Sequence, residues 1–513
     1  MKNQLSIVFI LLMIASPFSL IETHSQQTNP IIVDYIYANS KIISLDETSS
    51  IYEAIAIKDG AIVALGSTED ILANYEATNN QRYNLEGRTI MPGIIDGHTH
   101  YMASLFWVGD TGNIYDAQNL ALANGYTTLN EKSIDIGELE WMQSAEQDGT
   151  LRLRVNCFLI YNFAWLEDGH PVLVGAWEPD VAPVNDHDRK LRIPGFKIYS
   201  DGAGGNRGAP AMSIPYTPEM MADWGISNPY GDLYFNQSEL NTIVGSLQDR
   251  GFIVAFHSMG DRSTETVLNA IEYALNGSTN DNYRHQIEHN SFIRSDLIAQ
   301  AQNLHTIHSV RGYFPTYWQE EYEALYNETW KDWYMNRYSL PSVVHAYLET
   351  DFSYLYGFDE NDISRSANIN PFLHIWGLVT RKAFDVNGTI HTPHPWVANH
   401  TITVEQALRM MTIEGAYAVK QENYIGSLEV GKYADLIVLT DDPLTINPDN
   451  LKNIQVMLTM VGGKVEFKVG GNLFPLPYYP LITPADTEPT SWIVLFSILG
   501  LAYLSSIVML KRK

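Results

Sequence analysis

The sequence predicts an α/β protein in which a (β/α)8 barrel is joined to a small β-sandwich built from both ends of the chain, followed by a C-terminal transmembrane helix. Three observations predict this fold. Eight apolar strand-like runs alternate with helical stretches, similar strand-and-turn segments flank them on both sides, and an uncharged run lies near the end. The 513 residues, 45% of them hydrophobic, are enough for one large barrel and a smaller domain.

The two ends of the chain carry targeting patterns. Residues 1–24 combine Lys2 with an apolar stretch and then small residues, which is typical of a secretory signal peptide. Residues 492–510 carry no charge, can span a bilayer as a helix, and are followed at once by "KRK". Because positive residues collect on the cytoplasmic side, the pattern predicts a single-pass protein of the cell membrane whose main domain is extracellular. The alternative is a helix buried in the folded body.

The segments on either side of the central region have the same sequence pattern. Residues 25–95 and 422–470 both contain short apolar runs separated by turn residues. Neither segment has enough strands for a sandwich of its own. We therefore expect the two segments to meet in one β-sandwich domain, connected to the membrane helix by a Pro-rich linker over residues 471–491.

Residues 96–421 are expected to form the barrel. The eight strand-like runs, the first of which starts just before this range, are "GIIDGHTH", "GYTTLNE", "LRLRVNCFLIYN", "GFKIYSD", "GFIVAFHS", "RHQIEH", "LHTIHSV" and "VVHAYLETD". Eight strands separated by helices fit a barrel of the TIM type with generous loops. An open doubly wound sheet is the competing fold, but no Gly-rich phosphate turn follows an early strand.

Composition excludes several classes of function. The net charge of −27 would repel phosphate backbones, so nucleic acid is not an expected partner. The only cysteine is Cys157, so an internal disulfide and a thiolate metal cluster are both excluded. Any metal site in this chain must use nitrogen and oxygen ligands.

Titratable residues recur where the barrel runs end, and the C-terminal ends of barrel strands carry the chemistry in this fold. They are His98, His100, Lys197, His257, His289 and Asp351. Because side chains alternate along a strand, His98 and His100 should point into one site. Each residue has a structural alternative as a core histidine, a surface lysine or a helix cap. Six of them at one end of the barrel favour a metal site, with imidazole and carboxylate ligands that suit zinc.

The motifs "MPGIIDGHTH", "GFKIYSDG", "HSMGDRS", "RHQIEH", "LETD" and "IGSLEVGKYADLIVL" resemble those of the amidohydrolase superfamily, and most closely the amidohydrolase 3 family of metal-dependent hydrolases. The resemblance covers about residues 34–467. It implies two divalent metal ions, with His98 and His100 binding one and His257 and His289 the other. It also implies that Lys197 is carboxylated and bridges the two ions.

The same resemblance implies a mechanism. Metal ions lower the pKa of water from 15.7 towards about 7, which gives a hydroxide nucleophile at neutral pH. Asp351 would bind one metal, accept a proton from the water and pass it to the leaving nitrogen. A neutral lysine amine close to cations can capture carbon dioxide, and the resulting carbamate is an anion that can bridge two metals.

Three further residues are candidates for substrate binding. Where the family usually has Gln-Pro at the end of the seventh strand, this chain has "SVRGYF", which brings Arg311 to the mouth of the barrel. Arg311 could pair with a substrate carboxylate or with a neighbouring acid. Asp261 could orient a metal-binding imidazole or cap a helix, and Glu131 could face the metals or lie at a solvated rim.

The favoured hypothesis is an exported, membrane-tethered hydrolase of amide or cyclic amide bonds. Two alternatives remain open: a deaminase or phosphoester hydrolase that uses the same metal site, and a catalytically silent surface binding module. The expected partners are a small-molecule substrate and the lipid bilayer, and a homo-oligomer is left open.

Overall fold

The protein is described from a computed structural model. The structure describes residues 30–77, 81–107, 114–167, 169–174, 181–202, 208–312, 326–352, 369–384, 389–393 and 395–469. The predicted signal peptide, Pro-rich linker and transmembrane helix lie outside these ranges and stay predictions. Within the described part of the chain, no helix is both long and apolar enough to cross a membrane.

The N-terminal segment is mostly short strands. They are β1 (Ile31–Val33), β2 (Tyr35–Ala38), β3 (Lys41–Ile43), β4 (Ile51–Tyr52), β5 (Ala54–Lys58), β6 (Ala61–Gly66), β7 (Tyr75–Ala77), β8 (Arg82–Asn84) and β9 (Thr89–Pro92), with helix α1 (Thr68–Asn74) between β6 and β7. Strands β6, β5, β2 and β8 form a four-stranded sheet in that order.

Eight parallel strands form the barrel. They are β10 (Ile94–Thr99), β11 (Tyr126–Ile134), β12 (Arg154–Ile160), β15 (Leu191–Tyr199), β16 (Ile253–Ser258), β17 (Gln286–His289), β18 (Ile307–Arg311) and β19 (Ala346–Glu349). The hairpin of β13 (Asn162–Glu167) and β14 (His170–Leu173) leaves the barrel after β12. Each of the eight predicted runs overlaps one barrel strand, in the predicted order, so the predicted barrel is confirmed, although β11, β15 and β18 extend beyond their runs.

Hydrogen bonds between the first strand and the chain after the last strand bring the edges of the sheet together. The Asp351 N–H donates to the His98 carbonyl over 3.0 Å, and the His100 N–H donates to the Phe352 carbonyl over 2.8 Å. These bonds join the two edges at the ends of the strands, where the predicted site residues lie.

Helices surround the barrel. They are α2 (Tyr101–Trp107), α3 (Ile114–Ala123), α4 (Ile136–Gln147), α5 (Pro218–Asp223), α6 (Gln237–Asp249), α7 (Asp261–Leu275), α8 (Ser295–Leu304), α9 (Glu328–Asn336), α10 (Pro371–Thr380), α11 (Pro395–Ala398), α12 (Val404–Met410) and α13 (Ile413–Tyr417), with 3-10 turns at Asn280–Asn282, Arg337–Ser342 and Pro448–Asn453. Capping boxes formed by Asp135 with Glu138 and by Asn236 with Glu239 begin α4 and α6. The core between barrel and helices includes Phe196 from β15.

The C-terminal strands complete the smaller domain. After the short pair β20 (Ala383–Phe384) and β21 (Ile390–His391) come β22 (Leu436–Leu439), β23 (Val456–Val461) and β24 (Lys464–Lys468). Strands β24, β23, β22, β9, β3 and β4 form a six-stranded sheet, so the two ends of the chain meet through the pairing of β22 with β9. Apolar side chains of both sheets, such as Ile55 and Leu436, form a second core.

Candidate metal centre

Four histidine rings converge at the C-terminal end of the barrel. The ring centroids of His98 and His100 are 5.2 Å apart, those of His98 and His289 are 4.9 Å apart, and those of His257 and His289 are 4.6 Å apart. The rings come from β10, β16 and β17 and from the residue that follows β10. Residues that lie far apart in the sequence therefore meet in one buried cluster.

Asp351 completes a compact triangle with the first two histidines. The Nε2 atoms of His98 and His100 are 3.4 Å apart, and they lie 3.3 and 3.4 Å from Oδ1 of Asp351. A tetrahedral metal ion with bonds of about 2.0–2.1 Å holds neighbouring ligand atoms about 3.3–3.4 Å apart. The three atoms therefore have the spacing expected of three of the four ligand atoms around one tetrahedral metal ion.

A second ligand group shares His98. One ligand atom each from His98, His289 and Glu349 lie within 4.8 Å of one another. The Nδ1 atom of His289 is 3.0 Å from Oε1 of Glu349, and the Ser309 hydroxyl also donates to Glu349. The structure therefore adds a carboxylate, Glu349, beside the predicted ligands.

The rings of His100 and His289 are each oriented by a contact at Nδ1. Nδ1 of His100 lies 2.9 Å from the carbonyl oxygen of Lys132, and Nδ1 of His289 faces Glu349. Burial lowers the pKa of both rings, which favours neutral imidazoles. A ring held through Nδ1 in its neutral form offers Nε2 as a metal ligand, and metal-binding histidines are usually oriented in this way.

His257 has a buried nitrogen that lacks a partner. Its Nε2 atom makes no hydrogen bond with the described residues, and Oδ1 of Asp201 lies 3.7 Å away. Burial, together with the charges of His289 and Lys197, lowers the pKa of His257 well below its usual value. A buried, neutral ring with an open nitrogen fits the role of a metal ligand.

Lys197 is fully buried, and its amine pairs with the carboxylate of Glu288. Oε2 of Glu288 also lies 3.3 Å from Nδ1 of His98, and Oε1 lies 3.1 Å from Nζ of Lys132. The Glu288 carboxylate therefore lies between the Lys197 amine and the His98 ring. Its carboxylation stays a prediction.

The backbone adopts left-handed conformations at two of the site residues. His289 has φ 73° and Asp351 has φ 51°. Residues other than glycine rarely adopt positive φ, and such residues cluster at functional sites. Because Glu288 precedes His289 in β17, a regular strand would direct the two side chains to opposite faces; both lie close to His98 here.

Arg311 lies beside the predicted proton carrier. Its Nη2 pairs with Oδ2 of Asp351, and its Nε is 3.4 Å from Oε1 of Glu349. Burial would raise the pKa of Asp351, but Arg311 and the two rings of the triangle hold it well below its usual value. Arg311 thus forms the pairing with a neighbouring acid that was one of its two expected roles.

The other two predicted site carboxylates make contacts elsewhere. Glu131 is buried and accepts hydrogen bonds from the N–H groups of Met102 and Ala103, in the first turn of α2, over 2.7 and 3.3 Å. Asp261 accepts a hydrogen bond from the Ser213 N–H over 2.8 Å and pairs with Nη1 of Arg294 at 2.8 Å. These contacts belong to helix termini and loops rather than to the histidine cluster.

Sequence reasoning missed three charged residues of the cluster: Lys132, Glu288 and Glu349. Each lies within two residues of a residue that was considered, in "LNEK", "QIEH" and "LETD". The signal was a second titratable residue close to the end of a barrel strand. The sequence prediction includes one titratable residue at each of these strand ends: Glu131, His289 and Asp351.

Comparisons with known proteins indicate an amidohydrolase family. The model of an amidohydrolase family, Amidohydro_3, matches residues 114–467. The chain is 23% identical over 275 residues to the putative amidohydrolase YtcJ of Bacillus subtilis (strain 168), covering 53% of this chain and 47% of that protein. It is 24% identical over 283 residues to an N-substituted formamide deformylase of Arthrobacter pascens, covering 55% and 47%. The chain therefore spans about half the length of the curated relatives it matches.

A solved structure supports the fold. An uncharacterized metal-dependent hydrolase from Pyrococcus furiosus superimposes with a TM-score of 0.61 at 18% identity, covering 80% of this chain and 100% of that one. His98 and His100 lie just before the residues that the family model matches. Their assignment as ligands therefore depends on the geometry of the triangle.

Proposed function

Because the chain belongs to the amidohydrolase family, we propose that it is a metal-dependent hydrolase that cleaves a carbon–nitrogen bond other than a peptide bond, in an amide or cyclic amide. The observation that carries the proposal is the triangle of His98 Nε2, His100 Nε2 and Asp351 Oδ1, with edges of 3.3–3.4 Å. Its spacing is that of ligands around one tetrahedral ion.

The donor set fits divalent metal ions, and zinc best. His98, His100 and Asp351 would hold one ion; His257 and His289 would hold a second. Bound metals supply a strong nucleophile from water at neutral pH and polarise the carbonyl under attack. Imidazole and carboxylate ligands with no thiolate match zinc and its first-row neighbours.

Asp351 is the proposed proton carrier. Its Oδ1 faces the two imidazoles, and its Oδ2 pairs with Arg311. Arg311 favours the ionised carboxylate, which is the form that can accept a proton from water. Transfer of that proton to the leaving nitrogen lets the C–N bond break, because an amine leaves far more readily than an amide anion.

Lys197 is proposed to act as a carbamate that bridges the two ions. The support is its complete burial at the end of β15 and its place beside Glu288, whose Oε2 also lies 3.3 Å from Nδ1 of His98. An ammonium would be repelled by two dications, whereas the carbamate of the same side chain is an anion.

The proposal includes export and a membrane anchor, which rest on the sequence of residues 1–24 and 492–510. Intact cells treated with protease should lose the folded domain while the final "KRK" is protected. A truncation at residue 491 that leaves the protein just as firmly membrane-bound would refute the C-terminal anchor.

The decisive experiment measures metal content and substrate range together. We expect close to two transition-metal ions per purified chain, and hydrolysis in a panel of amides, cyclic amides and N-substituted formamides; the last group is included because of the name of the relative from Arthrobacter pascens. Activity confined to aminopurines would indicate a deaminase, and activity confined to phosphoesters would indicate a phosphoester hydrolase. Metal without activity on any of these would favour a binding module, and absence of metal from the purified protein would refute the proposal.

A further inference from the structure

Glu288 is a completely buried carboxylate that joins two parts of the barrel. Its Oε1 atom lies 3.1 Å from Nζ of Lys132 and accepts a hydrogen bond from the Tyr347 hydroxyl over 3.1 Å. Its Oε2 atom pairs with the Lys197 amine and lies 3.3 Å from Nδ1 of His98. One oxygen is therefore fixed by the barrel interior, while the other faces two residues of the proposed metal centre.

Lys132 makes two side-chain contacts in addition to its ion pair with Glu288. Its Nζ lies 3.3 Å from the centroid of the Phe158 ring and donates to Oε1 of Gln286 over 3.1 Å. Its own carbonyl oxygen lies 2.9 Å from Nδ1 of His100. Lys132 thus contacts the centre twice, through its amine at Glu288 and through its backbone at His100.

Charge balance explains why two lysines accompany one carboxylate. A buried ion is stable only with a partner of opposite charge. If Lys197 turns to the metal ions, Lys132 still supplies Glu288 with a positive partner. Glu288 can then stay ionised even when Lys197 no longer pairs with it.

We propose that Glu288, fixed by Lys132 and Tyr347, is a positioning residue that aligns the His98 imidazole and the Lys197 side chain for metal binding. Nδ1 of His98 makes no hydrogen bond of normal geometry with the described residues, and Oε2 of Glu288, at 3.3 Å, lies closer to it than Oε2 of Glu349, at 3.7 Å. A carboxylate that accepts the Nδ1 proton of a metal-binding histidine sets its tautomer and directs Nε2 towards the metal. His98 belongs to both candidate ligand groups, so a shift of this ring would disturb both. The inference rests on the proposed function only in requiring that the centre binds metal.

The test is Glu288→Gln, with Asp435→Asn as the matched control. Both changes neutralise a buried carboxylate in an ion pair, since Oδ2 of Asp435 accepts from Nε of Arg154 over 2.7 Å. In Glu288→Gln we expect metal affinity to fall about 10- to 100-fold in chelator competition, the usual effect of removing a group that orients a ligand. The visible absorption of the cobalt(II) protein should change as well, because it reports ligand geometry. Asp435→Asn should match the wild type in both measurements.

Tyr347→Phe and Lys132→Met keep the inference testable if Glu288→Gln does not fold. Tyr347→Phe removes one hydrogen bond to Glu288 and keeps the ring that packs against Gly97, so a smaller loss of affinity, up to about tenfold, is expected. Wild-type affinity and cobalt spectra in the variants that fold would overturn the inference. A wild-type protein that binds no metal would instead refute the proposed function.

Discussion

The two ends of the barrel both bury charged side chains, but they arrange them differently. At the N-terminal end, Arg154 meets Asp435 through two contacts, Nε to Oδ2 at 2.7 Å and Nη2 to Oδ1 at 3.3 Å. Nη1 of Arg192 donates to the Asn156 side chain and to the Val419 carbonyl, each over 3.1 Å. These contacts tie the barrel to the β-sandwich and to the segment after α13.

At the C-terminal end, several possible metal ligands lie close together instead of each pairing with a single partner. His98 lies within 3.4 Å of His100, Asp351 and Glu288 at once, and Nε2 of His257 is buried without a hydrogen bond among the described residues. Groups paired one to one stabilise an assembly. An excess of imidazole nitrogens and carboxylate oxygens around one point indicates a binding site for a cation.

The largest expected effect comes from His98→Ala, because this ring belongs to both ligand groups. The variant should lose most of its metal, and its hydrolytic rate should fall by more than the roughly 10- to 100-fold that loss of an orienting group produces. Metal analysis and rate measurements on the folded variant check this. Arg192→Met, at the other end of the barrel, is the control and should keep its metal. A His98→Ala protein with full metal content would show that the C-terminal end of the barrel does not bind metal through His98.

Lys197→Ala tests the proposed carbamate. The change should empty or disorder the metal pair and abolish hydrolysis, since the bridging anion is lost. Acetate or propionate, which can occupy the space and supply a carboxylate, should restore part of the activity. Unaltered activity in Lys197→Ala would refute the bridge. Lost activity that no small acid restores would count against a carboxylated lysine.

The fold was predictable because its signal is repeated. Each barrel strand overlaps an apolar run of the sequence, and the eight runs reappear in order as β10 to β12 and β15 to β19. The hairpin of β13 and β14 was not predicted, because the run "LRLRVNCFLIYN" continues without a turn residue while the chain leaves the barrel after Ile160.

The candidate site was predictable only in part, because sequence alternation does not reveal backbone kinks. In β17 a regular strand would direct only one of Glu288 and His289 towards the axis. The positive φ of His289 lets both side chains lie beside His98, and no residue type marks that conformation in advance. The pairing of Arg311 with Asp351 likewise depends on two strands that are adjacent only in the folded barrel.

At the N-terminal end, Asp435→Asn should reduce stability and leave the metal centre unaffected. Removing one partner of a buried ion pair costs about 3–5 kcal/mol, because the remaining charge of Arg154 stays buried without compensation. Urea unfolding of the variant and the wild type at the same metal occupancy measures this loss. A folded Asp435→Asn protein that holds less metal than the wild type would show that the two ends of the barrel are coupled.

The smallest effect is expected from His285, a buried histidine just before β17. Its Nδ1 accepts the Val254 N–H over 3.1 Å, and Nε2 is 3.1 Å from Oε1 of Gln248, so the neutral ring satisfies both contacts. Burial, and to a lesser degree the charge of Lys420, lowers the pKa of His285 to about 3.

Between the unfolded pKa of about 6.5 and the folded value, only the unfolded chain binds a proton at His285, so this contribution to stability is present above about pH 6.5 and is lost as the pH falls. His285→Gln removes that proton site. The difference in unfolding free energy between wild type and variant should therefore shrink by about 1 kcal/mol between about pH 7 and about pH 5.5. The metal-free proteins should be used, because protons also compete with metal for the imidazoles of the other end. A difference that stays constant over this range would mean that His285 takes up a proton in the folded protein as readily as in the unfolded chain.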